Sequence, residues 1–427
     1  MFLIDDVWDG TSWDIIQSVL LKGCSGNRII VTTQNVMIED SCSKHCSWLW
    51  HTVMPLSEQQ SWMLFSRNVF ASQDGKCPDH LRKACKEIMK KCEGLPSAIT
   101  AISYLMKEHW KVQSSTIPRT EMIPELRTLS KRLFSSSYMH LTQPLRTLLL
   151  YMSMFIYECK IEKGPLICKW IAEGFYSPQT YTRMERLAEL DYFHLIAWNV
   201  IIAPMPTGRP TKPAFGLCRV HSLVHQAIES TSAEECFLFT SNTLKSIDSD
   251  KARRISLQYY DPDLPSLLER LDLKFTYSLT LFDEVNRVPL EKFTMLRVLD
   301  MQGWKNVEED DLSVICNMHL LKYLSLRNTR VSLIPSLIKQ LHFLQTLDIR
   351  QTHISELPPE VCELRHLRNA YFGETYISEL PPQIEKLREL ERLEIAQTKI
   401  SKLPSEFSGL LYLKELNLRQ TKITNLP

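Results

Sequence analysis

The segment Leu344–Pro358, LQTLDIRQTHISELP, decides how the last third of this 427-residue chain folds. The same frame precedes it as LKYLSLRNTRVSLIP from Leu321. It follows as LRNAYFGETYISELP from Leu367, LERLEIAQTKISKLP from Leu390 and LKELNLRQTKITNLP from Leu413. Thr329, Thr352, Thr375, Thr398 and Thr421 recur every 23 residues, with Pro335, Pro358, Pro381, Pro404 and Pro427 in phase. Leu324 and Leu326, then Leu347 and Ile349, alternate with polar residues, so each pair points to one side of a short strand. Burying one such side chain is worth roughly 1.5–3 kcal/mol. One frame cannot bury its own leucines, so successive frames must stack and share a core. The in-phase proline closes each unit because it has no N–H to give.

This is the LxxLxL pattern at the period of a leucine-rich-repeat solenoid. RISLQYY from Arg254, YSLTLF from Tyr277 and LRVLDM from Leu296 read as degenerate strands of the same sheet, which places the start of the array near residue 250. The pattern stops in mid-frame at Pro427 with no polar capping unit, so an array cut at this end is expected. Residues between the leucines should point away from the core. On that concave face Arg327, Arg350 and Arg419 share a column, with Tyr323, Tyr371 and Arg392 nearby. Arginine and tyrosine dominate binding energy at many interfaces, so these six are the candidate partner-binding residues. A column of like charge repels itself unless the interleaved Asp348 and Glu394, or an acidic partner, offset it. The expected partner is a protein ligand or another part of the same chain.

Composition bounds the rest. The length allows two to four domains, and 44% hydrophobic with 23% charged residues is ordinary for a globular chain. A net charge of +1 excludes bulk attraction to nucleic acid or anionic membrane. The twelve cysteines have no repeating spacing and read as reduced thiols of the cytosol or nucleus. The opening MFLIDD has no basic segment of the signal-peptide kind. The stretch Leu195–Pro204, interrupted by Trp198 and Asn199, is too short to span a bilayer. A cytoplasmic location is expected, with nuclear or membrane-peripheral placement as alternatives.

The N-terminal LIDDVWD is an apolar run closed by two acids. At such a strand end one carboxylate holds Mg²⁺ and the next orients or deprotonates a water. Thr11–Lys22 reads as an amphipathic helix with Trp13, Ile16, Val19 and Leu20 on one side, ended by Gly23 and Gly26. NRIIVTT from Asn27 reads as a buried parallel strand, which completes a βαβ crossover. Ser57 is placed to cap the helix that follows it. Cys42, His45 and Cys46 lack a second ligand pair at zinc spacing, so no metal site is expected there.

Taken in order, LIDDVWD, GNRIIVTTQN, CEGLPSAI from Cys92, LICKWIAEGF from Leu166, VHSLVHQ from Val220 and the repeat array resemble the plant disease-resistance family of nucleotide-binding, leucine-rich-repeat receptors. The Trp8 ending is similar to the coiled-coil subclass. The resemblance implies an α/β multidomain chain in four parts. These are a partial parallel-sheet nucleotide-binding domain over 1–54, a helical domain with the GLP motif over 55–124, a winged-helix domain with an MHD-like motif over 125–235, and the solenoid over 236–427. It implies that Asp5 holds Mg²⁺, that Asp6 is the catalytic acid, and that Gly94 and Pro96 form the turn beside the adenine. By the same resemblance His221 faces the β-phosphate of ADP, and Gln34 stands where the family has its sensor arginine. Such receptors switch between ADP-bound and ATP-bound states and oligomerise to trigger defence. Their repeats meet a pathogen effector or a host guardee, or contact the switch domains. No nucleic acid is implied, since the winged-helix segment has no basic recognition cluster.

The chain departs from the pattern in several places. No GxxxxGK[ST] occurs in its 427 residues, and that loop supplies the phosphate-binding amides, lysine and Mg²⁺ hydroxyl. ADP, ATP and Mg²⁺ are therefore expected in the intact module and not as tight ligands of this chain, which is not expected to be an enzyme by itself. Gln34 removes a charge, Ser222 replaces the aspartate of the MHD motif, and Ile156 stands where proline usually follows Phe155. Two readings follow: a fragment of a defence-type switch receptor, or a leucine-rich-repeat interaction scaffold or decoy with a vestigial nucleotide-binding region.

Overall fold

The computed structural model describes residues 2–5, 7, 10–20, 28–33, 49, 51, 53–71, 75–112, 134, 138, 141–157, 159–176, 181–197, 201–203, 216–246 and 252–426. They form two compact units. The first comprises 1–152, 157–163 and 189–228, and the second 153–156, 164–188 and 229–427. Residues 164–188, expected within a winged-helix domain, thus group with the repeats.

In the first unit β1 (Phe2–Ile4) pairs in parallel with β2 (Ile29–Val31), with Leu3 opposite Ile30. The helix Gly10–Leu20 connects them, as the crossover reading requires. Val7 and Trp13 are buried against Ile4, Ile16 and Val31. Val19 was expected on the same face, but it is exposed; Trp13 is buried and Ile16 half-buried, and the side chain of Leu20 lies outside the described residues. Phe2, Leu3 and Ile30 also face outward. The helices Glu58–Val69, Asp79–Lys91 and Pro96–Val112 enclose a second core of Phe65, Phe70, Ile88, Cys92, Ile99 and Ile102. Ser57 caps the first of these reciprocally: its backbone N–H donates to Gln60 Oε1 at 2.9 Å, and its hydroxyl accepts from Gln60 N–H at 3.3 Å. A small antiparallel sheet follows, with β3 (Ile161–Glu162) and β4 (Ile201–Ile202) on either side of β5 (Leu217–Val220).

The second unit is built on a parallel sheet that runs in sequence order from β6 (Phe239–Thr240) through β7 (Arg254–Leu257), β8 (Ser278–Leu281) and β9 (Val298–Asp300). It continues with β10 (Tyr323–Ser325), β11 (Thr346–Asp348), β12 (Asn369–Tyr371), β13 (Arg392–Glu394) and β14 (Glu415–Asn417). The three degenerate segments are β7, β8 and β9. The sheet begins at Phe239, earlier than residue 250, because Phe239 enters the common core without an LxxLxL frame around it. Leu324, Leu347, Ala370, Leu393 and Leu416 pair directly across successive strands.

The 23-residue period has a local cause. The residue before each threonine, from Asn328 to Gln420, takes the left-handed conformation with φ of 55–59°. This turns the chain out of the sheet. Each threonine hydroxyl then donates to the carbonyl three residues back, from Thr329 to Leu326 at 2.6 Å through Thr421 to Leu418 at 2.8 Å. That bond satisfies a carbonyl which the next strand does not reach. After Pro335, Pro358, Pro381 and Pro404 a short 3-10 turn inserts apolar side chains, namely Ile338, Val361 with Cys362, Ile384 and Phe407. Among the described residues no helix is long and apolar enough to cross a membrane, and every cysteine is a free thiol.

Candidate functional site

The helix Asp79–Lys91 ends at Cys92, and the chain reverses through Glu93 and Gly94, with φ of 45° and 76°. The Leu56 N–H donates to the Gly94 carbonyl at 2.9 Å. A Cβ on Gly94 would stand 2.4 Å from the Leu56 carbonyl oxygen, so the close approach as well as the left-handed φ requires glycine. Pro96 opens the next helix from an exposed position, where its missing N–H costs nothing.

His221 follows β5 directly and comes to this turn. Its ring is buried, and the Cys92 backbone hydrogen-bonds to it. Arg219, two residues earlier, forms an ion pair with Glu93. Burial pushes the His221 imidazole below its ordinary pKa, with Arg219 acting in the same direction and Glu93 against it. A cleft of about 830 Å³ opens beside the turn, lined among others by Leu56, Trp62, Arg82, Lys86, Glu93 and Gly94. Sequence reading missed Glu93 and Arg219. Glu93 lay in plain view inside CEGLP, whereas Arg219 carries no signal of its own until β5 aims it.

The lowered pKa has a consequence for stability. The unfolded chain takes up the His221 proton near pH 6.5 and the folded unit only at lower pH. Stability is therefore complete above about pH 6.5 and is lost as pH falls through the folded-state value. The expected result is that His221→Asn shrinks the drop in melting temperature between pH 7.5 and pH 5.5. A drop as large as in the parent chain would exclude this origin.

Asp5 is exposed, and its carboxylate accepts a hydrogen bond from the Thr32 hydroxyl. Among the described residues no hydrogen bond or ion pair joins Asp5 to His221 or Gly94. Asp6, Gln34 and the Cys42, His45 and Cys46 group lie outside the described residues, as does the side chain of Ser222.

The six candidate partner-binding residues belong to the second unit, where the outward face of the sheet is largely covered. The helix Lys163–Glu173 and the start of the helix Tyr181–Ala197 supply the cover. Lys169 forms a buried ion pair with Asp300, and its ammonium lies 4.8 Å from the Phe155 ring centre and 5.4 Å from that of Tyr323. Glu173 is fully buried, and its carboxylate meets Arg254 at 3.0 Å; burial still pushes its carboxyl above the usual range. Glu185 forms an ion pair with Arg392.

Tyr323, Arg350 and Tyr371 are consequently buried, which corrects the expectation of an open column. Arg350, in the turn after β11, is neutralised within its own repeat by Asp348 at 2.6 Å and stacks 4.8 Å from the Tyr371 ring centre. Arg327 is half-buried and donates to Gln351 Oε1 at 3.2 Å, and Arg419 alone of the six is exposed. The alternation placed these side chains outward correctly. Outward does not mean solvated once helices lie over the sheet. Lys169 and Glu173 were missed, though charges inside the apolar run LICKWIAEGF were a legible sign of buried pairing.

Two regions of the chain have counterparts among known proteins. Residues 1–75 match the NB-ARC domain, and residues 276–375 match a leucine-rich repeat region. The chain is thus a relative of the disease resistance proteins that combine these two regions. It is 35% identical over 353 residues to Disease resistance protein Pik-2 of Oryza sativa subsp. japonica, covering 80% of this chain and 34% of that one. It is 27% identical over 354 residues to Disease resistance protein RGA5 of the same organism, covering 79% and 31%. The chain therefore spans about a third of the length of these relatives. Among solved structures, an internalin of Listeria monocytogenes overlaps 44% of this chain and 51% of its own at 21% identity, with a TM-score of 0.36.

Proposed function

We propose that this chain is the switch-and-recognition part of a cytoplasmic plant immune receptor, in which nucleotide state controls whether the repeats engage a protein from pathogen or host. One observation carries the reading: Gly94 and His221, far apart in sequence, belong to motifs that should meet at a nucleotide, and their neighbours Glu93 and Arg219 form an ion pair at one turn, with the Cys92 backbone against the His221 ring. In this reading residues 55–124 are the helical domain and 125–235 the winged-helix domain. Asp5 and Asp6 serve Mg²⁺ and hydrolysis, Gln34 lies near the γ-phosphate, and Pro96 packs near the adenine. Within the second unit the covering helices are tied to the repeats, since Lys169, Glu173 and Glu185 each hold a strand residue.

The scaffold reading rests on a different observation, that these 427 residues contain no GxxxxGK[ST]. Isothermal titration of the chain with ADP is expected to show no binding in the micromolar range, because amides and a lysine of that loop hold the phosphates. The product of the complete transcript is expected to contain the loop upstream of Met1 and to copurify with ADP. An in-frame stop codon just upstream of Met1, or a complete product that carries no nucleotide, would overturn the switch in favour of the scaffold.

A further inference from the structure

The turn before Gly94 holds a residue that its own surroundings disfavour. The helix Asp79–Lys91 ends at Cys92, and Glu93 then takes the left-handed conformation with φ of 45°. Glycine is the usual occupant of that place after a helix, because a Cβ there crowds the neighbouring carbonyl. The charge is misplaced as well. The last carbonyls of a helix carry partial negative charge and repel a carboxylate beside them, whereas Lys90 and Lys91 in the same turn have the favourable sign. Backbone conformation and helix dipole thus both disfavour a glutamate at residue 93.

An offsetting contact comes from 126 residues further along the chain. On β5 Cys218 and Val220 are buried and Leu217 and Arg219 are not, which leaves the Arg219 guanidinium free to form its ion pair with Glu93. The Glu93 side chain is only 16% exposed, so water screens this pair less than a surface pair. Two residues beyond Arg219 the His221 ring is buried with the Cys92 backbone against it. The His221 carbonyl in turn accepts from the His225 N–H at 2.8 Å, in the first turn of the helix Ser222–Glu234. Arg219 and His221 therefore share one short stretch fixed between a strand and a helix. Whatever holds Arg219 at Glu93 holds the imidazole at Cys92.

We propose that Glu93, acting through Arg219, is the positioning residue that seats His221 on the turn after Cys92. The proposal rests on the reading of His221 as a group that faces the nucleotide, and it names what sets the place of that group. Two roles for Glu93 predict opposite signs. As a neighbouring charge alone, Glu93 favours the imidazolium, so its loss lowers the His221 pKa further. As a positioning residue it keeps the ring in its buried seat, so its loss lets the ring out to water and the pKa rises towards its ordinary value of about 6.5. The charged groups acting on the ring are Glu93 from the turn and Arg219 from β5, and His225 is the buried titratable group one turn into the next helix.

Histidine NMR titration of the 427-residue chain tests it, with the His221 signal assigned by its loss in His221→Asn. The His221 pKa is expected to rise in both Glu93→Gln and Glu93→Gly. Glu93→Gly also relieves the left-handed strain, so its melting temperature should lie above that of Glu93→Gln although both lose the seat. This separates position from stability, and it keeps the test valid if Glu93→Gln does not fold. A His221 pKa that falls or stays at the parent value in either folded variant overturns the proposal. No nucleotide enters the titration, so such a result leaves the switch reading untouched. That reading fails separately, on a complete product that carries no ADP.

Discussion

Asp300→Ala is expected to destabilise the repeat-containing unit by about 3–5 kcal/mol, the cost of leaving one member of a buried ion pair without its counter-charge. Lys169 and Asp300 each have side chains only 4% exposed. With Asp300 removed, the Lys169 ammonium is left against the faces of Phe155 and Tyr323. Two aromatic faces attract a cation but do not replace a carboxylate. In a unit of this size the loss corresponds to a fall in melting temperature of roughly 10 °C. Lys169→Met combined with Asp300→Leu removes both charges and should restore most of the stability, since apolar replacements of buried pairs are often close to neutral. Differential scanning calorimetry of the two variants and the parent chain decides the matter. If the double variant melts as low as Asp300→Ala, the damage comes from lost packing and not from an unpaired charge.

Gly94→Ala is expected to be nearly as damaging, by roughly 2–4 kcal/mol, for a backbone reason. The left-handed φ of 76° costs any residue with a Cβ about 1–2 kcal/mol. The new methyl would also lie 2.4 Å from the Leu56 carbonyl oxygen and 3.0 Å from the Leu56 nitrogen. Backbone atoms cannot rotate aside, so the turn itself must shift and carry Glu93 away from Arg219 and Cys92 away from His221. Gly75 is a built-in control. Its φ is 73°, yet a Cβ there would come no nearer than 4.0 Å to the Ser66 carbonyl oxygen. Gly75→Ala should therefore show the conformational cost alone. Equal melting temperatures for the two variants would mean that the close approach at Gly94 contributes nothing. A shift of the His221 titration, followed by NMR in Gly94→Ala but not in Gly75→Ala, is the accompanying sign at the site.

Much of the architecture was legible in the sequence because its determinants are local. The LxxLxL spacing, the left-handed residue, the threonine hydroxyl bond and the proline all act within one 23-residue frame. Each repeat therefore declares its own geometry, and stacking is the remaining way to bury its leucines. The helix between β1 and β2, the Ser57 cap and the strands β7 to β9 were legible for the same reason. Val19 was misplaced because periodicity says which side of a helix is apolar, not how much of that side is covered. The GLP turn could be read from its glycine, but its neighbours Arg219 and His221 could be placed there only by motif order, since nothing local ties Val220 to Cys92.

The sequence by itself determined the period, the inward leucines, the outward polar residues and the order of the motifs, because these follow from dihedral preference and from the alternation of a strand. Tertiary structure alone decided which outward residues reach water. Tyr323, Arg350 and Tyr371 became interior once the helix Lys163–Glu173 and the start of the helix Tyr181–Ala197 lay over the sheet, and Lys169, Glu173 and Glu185 became partners of strand residues. The physical reason is range. A backbone turn is settled by interactions over three or four residues. Burial of a charge is settled by which distant counter-charge arrives, and Lys169 and Asp300 are 131 residues apart.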